Sequence, residues 1–329
     1  MCLSCTQPST QYKGVSWVGS PYKVTEKDMK PIANIGVNWI VQTPFGWQES
    51  FNSPQIKLST AGKYYWGETD EGIRVTHQHA KAYGIKTLLK PHLWLRGNGK
   101  GKWRSDIEMN SEEEWDLWFQ SYTQFISHYA TLAETYKIEA LCIGTELHQT
   151  VVKKPEKWRT LIKHLRSIYS GKLTYAANWY KEYEEITFWD QLDFIGIQGY
   201  FPLSQSPSPS EKDLIEAWKI HLPKIESVSK AFNKKIVFTE LGYKSTTDGA
   251  QKPWEWPEHN ENLVLNIDTQ THSYHAFFKT FWNKPWFDGV FFWKWFPNHS
   301  VSGGTENKGF TPQNKPAQIV IKQYFTGKQ

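Results

Sequence analysis

The chain has 329 residues, long enough for one large α/β barrel or two smaller domains, and its 38 basic and 33 acidic residues leave a net charge of only +5. These charges are spread along the sequence, which excludes a nucleic-acid stripe or a basic face for anionic membranes and suits a neutral substrate. The 18 Trp, 16 Tyr and 18 Phe make 16% of residues in a chain whose mean hydropathy is −0.61, more rings than a core alone would take; Trp and Tyr join an apolar face to a polar tip, as the C–H faces and hydroxyls of sugars require.

At the N-terminus, Leu3-Ser4-Cys5 followed by polar residues resembles the end of a bacterial lipoprotein signal. Residues 1–11 are therefore read as a disordered remnant of such a signal, on an exported protein, periplasmic or at the cell surface, anchored through lipid on Cys5. Cys2, Cys5 and Cys142 are too few for a disulfide framework, and Cys142 falls mid-strand as a small buried hydrophobe. No segment is long and apolar enough to span a membrane.

Apolar runs then alternate with amphipathic stretches. The strands predicted are Gly14 to Val18, Val37 to Thr43, Thr87 to Leu93, Ala140 to Thr145, Leu173 to Ala177, Phe194 to Gln198, Ile236 to Thr239 and Gly289 to Trp293. The clearest helix is Ser111 to Tyr136, where Ser111 and Glu114 form a capping box ahead of Trp115, Trp118, Phe119, Tyr122, Phe125 and Ile126 at helical spacing. Eight alternations of strand and helix predict a (β/α)8 TIM barrel, a single domain over residues 12–326. The connections after the strands are long: Pro44 to Glu68 carries Phe45, Trp47, Phe51, Tyr64, Tyr65 and Trp66, Trp94 to Asn110 is rich in Gly and Lys, and Thr246 to Asp268 holds Trp254 and Trp256. Loops of this length in a compact domain are usually functional.

Two of the strands end on a carboxylate, Ala140 to Thr145 on Glu146 and Ile236 to Thr239 on Glu240. Catalytic groups of this barrel project from the C-terminal ends of strands, so the pair fits a glycosidase, which needs one protonated carboxyl at the leaving oxygen and one ionised carboxylate at the anomeric carbon. The plain alternative for either glutamate is an ion pair or a place beside a helix N-terminus. Trp17, Asn38, Gln42, Lys90, His92, Asn178, Trp179, Gln198, Tyr200, Trp293 and Lys294 gather at the same strand ends. Three rival chemistries find no support. The pairs His77/His79 and His272/His275, and His92 and His148, lack zinc-motif spacing; Gly97 to Lys102 has neither the P-loop nor the dinucleotide fingerprint; and no G-x-S-x-G elbow occurs.

The segments Lys90-Pro91-His92, Ile143-Gly144-Thr145-Glu146-Leu147, Gln198-Gly199-Tyr200-Phe201-Pro202, Phe238-Thr239-Glu240-Leu241-Gly242-Tyr243 and Phe292-Trp293-Lys294-Trp295 resemble glycoside hydrolase family 113 over nearly the whole chain. That family belongs to a clan of retaining (β/α)8 glycosidases and acts mainly as endo-β-1,4-mannanase. The resemblance implies Glu146 as acid/base, Glu240 as nucleophile, Tyr200 hydrogen-bonded to the nucleophile and Trp293 as floor of the cleavage subsite. It also implies Lys90, His92 and Asn178 as sugar-binding groups; Trp17 and Asn38 join the substrate-binding set from their strand-end placement. Many clan relatives carry Asn just before the acid/base to bind the sugar 2-OH, whereas here that residue is Thr145, in keeping with the axial 2-OH of mannose. The expectation is a monomer that hydrolyses β-mannan, glucomannan or manno-oligosaccharides with retention, with no cofactor, no metal and no nucleic-acid partner. The alternatives are a clan relative acting on another β-linked glycan and a catalytically silent carbohydrate-binding barrel.

Overall fold

The structure is a computed structural model that describes residues 11–58, 65–97, 101–257 and 262–327. The lipoprotein reading of Cys5, and the expectations placed on Cys2, Tyr64 and Asn98 to Lys100, fall outside these residues. Eight parallel strands close into a barrel in sequential order: Tyr12–Trp17, Trp39–Gln42, Lys86–Leu89, Ala140–Thr145, Lys172–Asn178, Ile195–Gln198, Ile236–Leu241 and Phe287–Trp295, the last pairing with the first. Helices lie between them, so the fold is a (β/α)8 barrel in one domain. Between the fifth and sixth strands the helical part shrinks to one α turn, Glu182–Glu185, and a 3-10 turn, Trp189–Gln191. Among the described residues no helix is long and apolar enough to cross a membrane.

The period-2 alternation of the strands divides the core into two layers. Inside the barrel are Tyr12, Trp39, Val41, Leu88, Ala140, Cys142, Ala176, Phe194, Val237 and Phe291, with Tyr12 packed 4.7 Å from Trp39 and 5.1 Å from Phe194, centroid to centroid. The other face of each strand meets the helices through a larger cluster that includes Val15, Trp17, Trp118, Trp158, Trp218 and Phe238. Gly14 is required by the inner layer, because a Cβ there would fall 2.2 Å from Cδ1 of Phe291. Much of the aromatic excess is thus packing, with Trp118, Trp158, Trp189, Trp218 and Trp295 fully buried.

Three sequence expectations need correction. The third strand stops at Leu89 rather than reaching Leu93. Pro91 has no N–H for the ladder, and His92–Leu95 leaves the barrel to form a three-stranded sheet with Phe45–Gln48 and Ile56–Leu58, segments read as loop. The capping box of the long helix Glu112–Tyr136 is half formed: Ser111 accepts from the Glu114 N–H, but the Glu114 carboxylate reaches Asn110 instead, through its N–H and side-chain amide. The seventh strand extends through Glu240 to Leu241, with a register shift against the sixth strand between Phe238 and Glu240. Glu240 therefore belongs to the strand itself.

Candidate active site

At the C-terminal mouth of the barrel lies a cleft of about 680 Å³, lined by Glu146, Glu240, His92, Arg104, Asn178, Gln198, Tyr200 and ten further side chains, most of them aromatic. Both glutamates lie in it, one from the residue after the fourth strand and one from the end of the seventh. Glu146 adopts φ 53°, a left-handed conformation uncommon for a residue with a side chain, and its N–H donates to the Ala176 carbonyl at 2.9 Å. A non-glycine residue held there costs about 1 kcal/mol or more and persists only where its surroundings impose it.

The two carboxyls differ in their partners. Glu240 accepts from the Lys90 ammonium at 2.5 Å on Oε1 and from the Tyr200 hydroxyl at 2.8 Å on Oε2. The Lys90 side chain is 0% exposed and Nζ also reaches the Thr239 carbonyl at 3.3 Å. Glu146 instead accepts from the Trp103 indole N–H at 3.1 Å on Oε2, with Arg104 Nε 3.7 Å from the same oxygen. Burial raises the Glu146 carboxyl above its ordinary pKa, the Arg104 cation pulls it back, and the charge of Glu240 raises it again. One carboxyl thus has a cation in hydrogen-bond contact, and the other meets its cation only at 3.7 Å. Burial, with Glu240 second, pushes the Tyr200 phenol well above its usual range, so it donates to Glu240 as a neutral hydroxyl. Burial, then Arg104 and Lys90, push His92 well below its usual value; the neutral ring lines the cleft with Nε2 unpartnered in the described structure and 3.8 Å from Glu240 Oε1.

Of the residues expected to bind substrate, His92, Asn178, Tyr200 and Trp293 line the cleft. The peptide between Trp293 and Lys294 is cis. Three others do not line it, and each is a correction. Trp17 is 3% exposed and packs in the outer layer, because its parity on the first strand opposes that of inward-facing Tyr12. Asn38 precedes the second strand, at the other end of the barrel, where its amide accepts from the Lys13 N–H and donates to the Gln11 carbonyl. Lys90 has no exposed surface for a sugar, and its charge is committed to Glu240. Among the rival histidines, His77 is buried against the Thr87 hydroxyl at 3.0 Å and His148 meets Glu185.

Trp103 and Arg104 were not singled out in the sequence, since they come from a loop without periodic signal. The Arg104 guanidinium lies 4.4 Å from the Trp103 ring centroid and 6.0 Å from that of Trp94, and among the described residues its Nε and Nη1 have no hydrogen-bond partner. A buried cation with unused donors beside Glu146 can both tune that carboxyl and receive a substrate hydroxyl. Across the cleft, Trp179 stacks on Trp254 at 5.2 Å, and Trp256 packs edge-on to Trp293 and to Phe310. Trp254 and Tyr180 are 43% and 58% exposed, apolar rings left open to a ligand.

A family model described as Glycoside Hydrolase Family 113 matches residues 17–315. Among solved structures, a GH113 β-1,4-mannanase complex aligns with a TM-score of 0.81 at 27% identity, covering 97% of this chain and 99% of that one. The GH113 β-mannanase AaManA from Alicyclobacillus acidocaldarius, in complex with ManMIm, aligns with a TM-score of 0.82 at 26% identity, covering 96% and 97%. A β-glucuronidase from Ruminococcus gnavus shares the fold at 14% identity and a TM-score of 0.62, over 97% of this chain and 50% of that chain. No curated protein matches significantly.

Proposed function

This chain belongs to glycoside hydrolase family 113, and from that premise we propose that it hydrolyses β-1,4-mannosidic bonds in mannan or manno-oligosaccharides with retention of configuration. The observation that carries the reading is the asymmetry of the two carboxyls in one aromatic cleft: Glu240 is fixed by a cation and a phenol in hydrogen-bond contact, whereas Glu146 has its cation only at 3.7 Å and a raised pKa. A retaining glycosidase needs that division of labour.

In the first step a Glu240 oxygen attacks the anomeric carbon from the face opposite the leaving group. Glu146 gives its proton to the glycosidic oxygen as the bond breaks, leaving a covalent glycosyl ester on Glu240. In the second step Glu146, now ionised, takes a proton from water, which attacks the same carbon and frees Glu240, so two inversions restore the β configuration. Lys90 and Tyr200 hold the two Glu240 oxygens for attack and receive the negative charge again when the ester is cleaved. Trp293 floors the cleavage subsite, while Asn178 and neutral His92 offer hydrogen bonds to sugar hydroxyls. The mannanase neighbours, each aligned over nearly its full length, support mannan as substrate.

Incubation of the enzyme with mannohexaose, glucomannan and xylan, with products separated by chromatography and the first-formed anomer read by proton NMR, tests the proposal. Release of shorter manno-oligosaccharides as the β anomer is the expected result. Cleavage of xylan alone would assign the chain to another β-glycan, α anomer first would mean inversion, and binding without cleavage would leave a carbohydrate-binding barrel.

A further inference from the structure

Behind the fourth and fifth strands, a chain of buried hydrogen bonds ends at a carboxyl that lies outside the cleft. Tyr175 is 0% exposed and faces outward from the fifth strand, with inward-facing Ala176 beside it. It passes beneath the end of the fourth strand because residue 144 is glycine; a Cβ there would lie 2.6 Å from the Tyr175 ring. The Tyr175 hydroxyl accepts from the Leu147 N–H at 2.6 Å and donates to Glu182 Oε1 at 2.5 Å. The second Glu182 oxygen accepts from the Asn178 N–H at 2.6 Å.

Glu182 is 0% exposed, and neither of these bonds comes from a cation. A carboxyl buried against neutral donors alone is costly, and burial pushes this one up to about 8 in spite of both donors. An apolar side chain would serve packing better. What the carboxyl does hold is specific: Leu147 directly follows Glu146, whose φ of 53° sets the direction of its side chain, and Asn178 lines the cleft. The Leu147 carbonyl is held from the other side by the Thr150 hydroxyl at 2.7 Å, which itself accepts from the Trp158 indole at 3.1 Å.

We propose that Glu182 is a positioning residue for the acid/base, fixing through Tyr175 the strained turn that aims Glu146 and tying that turn, through the Asn178 N–H, to the sugar-binding end of the fifth strand. The proposal rests on the reading of Glu146 as acid/base. Proton transfer to a glycosidic oxygen tolerates little displacement, about 1 Å being enough to lose roughly 100-fold. A displaced acid harms substrates whose leaving group needs a proton and spares those whose leaving group departs as a stable anion. Loss of packing makes no such distinction.

The test compares the full-length enzyme with Glu182→Leu, which removes both acceptors whatever the protonation of the carboxyl, and with Tyr175→Phe, which cuts the chain at its middle. For each, kcat/KM is measured on mannohexaose and on 2,4-dinitrophenyl β-mannobioside, beside a thermal melt; kcat/KM reports the glycosylation step on both substrates. Both variants should lose about 10- to 100-fold on mannohexaose and less than about threefold on the aryl glycoside. Equal losses on the two substrates, no loss on either, or failure of both variants to fold would overturn the proposal and leave Glu182 a brace of the fold alone. A wild-type enzyme inactive on both substrates would instead overturn the mannanase reading on which the proposal stands.

Discussion

Lys90 and Glu240, 150 residues apart in the sequence, form an ion pair at 2.5 Å in the barrel mouth, the lysine with no exposed side-chain surface and the glutamate with 6%. The contact turns a residue of the third βα connection into part of the seventh strand's carboxylate. Breaking a buried pair on one side strands the other charge. Lys90→Met should therefore lose at least about 100-fold in kcat/KM on mannohexaose and on an aryl β-mannobioside alike, since a misplaced nucleophile slows attack whatever the leaving group. Steady-state kinetics on both substrates check this, and a loss confined to KM would return Lys90 to sugar binding.

Arg104 opposes the effect of burial on Glu146. Without the cation, burial is opposed only by the weaker effects of the Trp103 hydrogen bond and of Lys90, so the Glu146 pKa rises further; because the acid must be protonated for glycosylation, the alkaline limb of kcat/KM moves to higher pH. Arg104→Gln should show that shift in a pH–rate profile on mannohexaose. An alkaline limb that stays put or moves to lower pH would separate Arg104 from the acid.

The roles of the two glutamates separate by leaving group. Glu146→Ala should lose about 100- to 10,000-fold in kcat/KM on mannan, keep useful glycosylation of a 2,4-dinitrophenyl β-mannobioside, and give a β-mannosyl azide when azide is added. Glu240→Ala removes the covalent intermediate, so it should fail on both substrates and give at most the α azide. Kinetics with NMR assignment of the azide products decides the matter, and an exchanged pattern would reverse the assignment.

Trp293 lines the cleft and contacts Trp256 edge-on. If its ring acts on the sugar being cleaved, Trp293→Ala should lose more in kcat on mannohexaose than its thermal stability explains. Some stability goes in any case with a large side chain. Near wild-type turnover with an intact melting temperature would make the ring packing only.

Inside the barrel, Gly14→Ala places a methyl 2.2 Å from the Phe291 ring, which has Tyr12 and Trp39 against it. Overpacking of this kind costs about 1–3 kcal/mol. Urea unfolding should show the loss as a lower midpoint, and an unchanged midpoint would mean that the inner layer has slack.

The sequence by itself determined the barrel and the positions of both carboxylates, because strand, helix and strand end are local properties carried by the period of apolar residues and the point at which it stops. Residues 140 to 146 illustrate it: the apolar run predicted the observed strand Ala140–Thr145, and Glu146 stands just beyond it. What surrounds those carboxylates was decided only by tertiary structure. Trp17 and Trp293 look alike as strand-end tryptophans, yet one faces the helices and the other the cleft, since a single residue of register reverses the face. Asn38 stands at the start of its strand, where the predicted span Val37 to Thr43 also put it, so its expected place at the mouth did not follow from that span. Lys90 met Glu240, and Trp103 and Arg104 reached Glu146, through barrel closure and a loop with no repeating pattern. Such contacts depend on the distance between strand ends around a closed sheet, a quantity that no local stretch of the chain encodes.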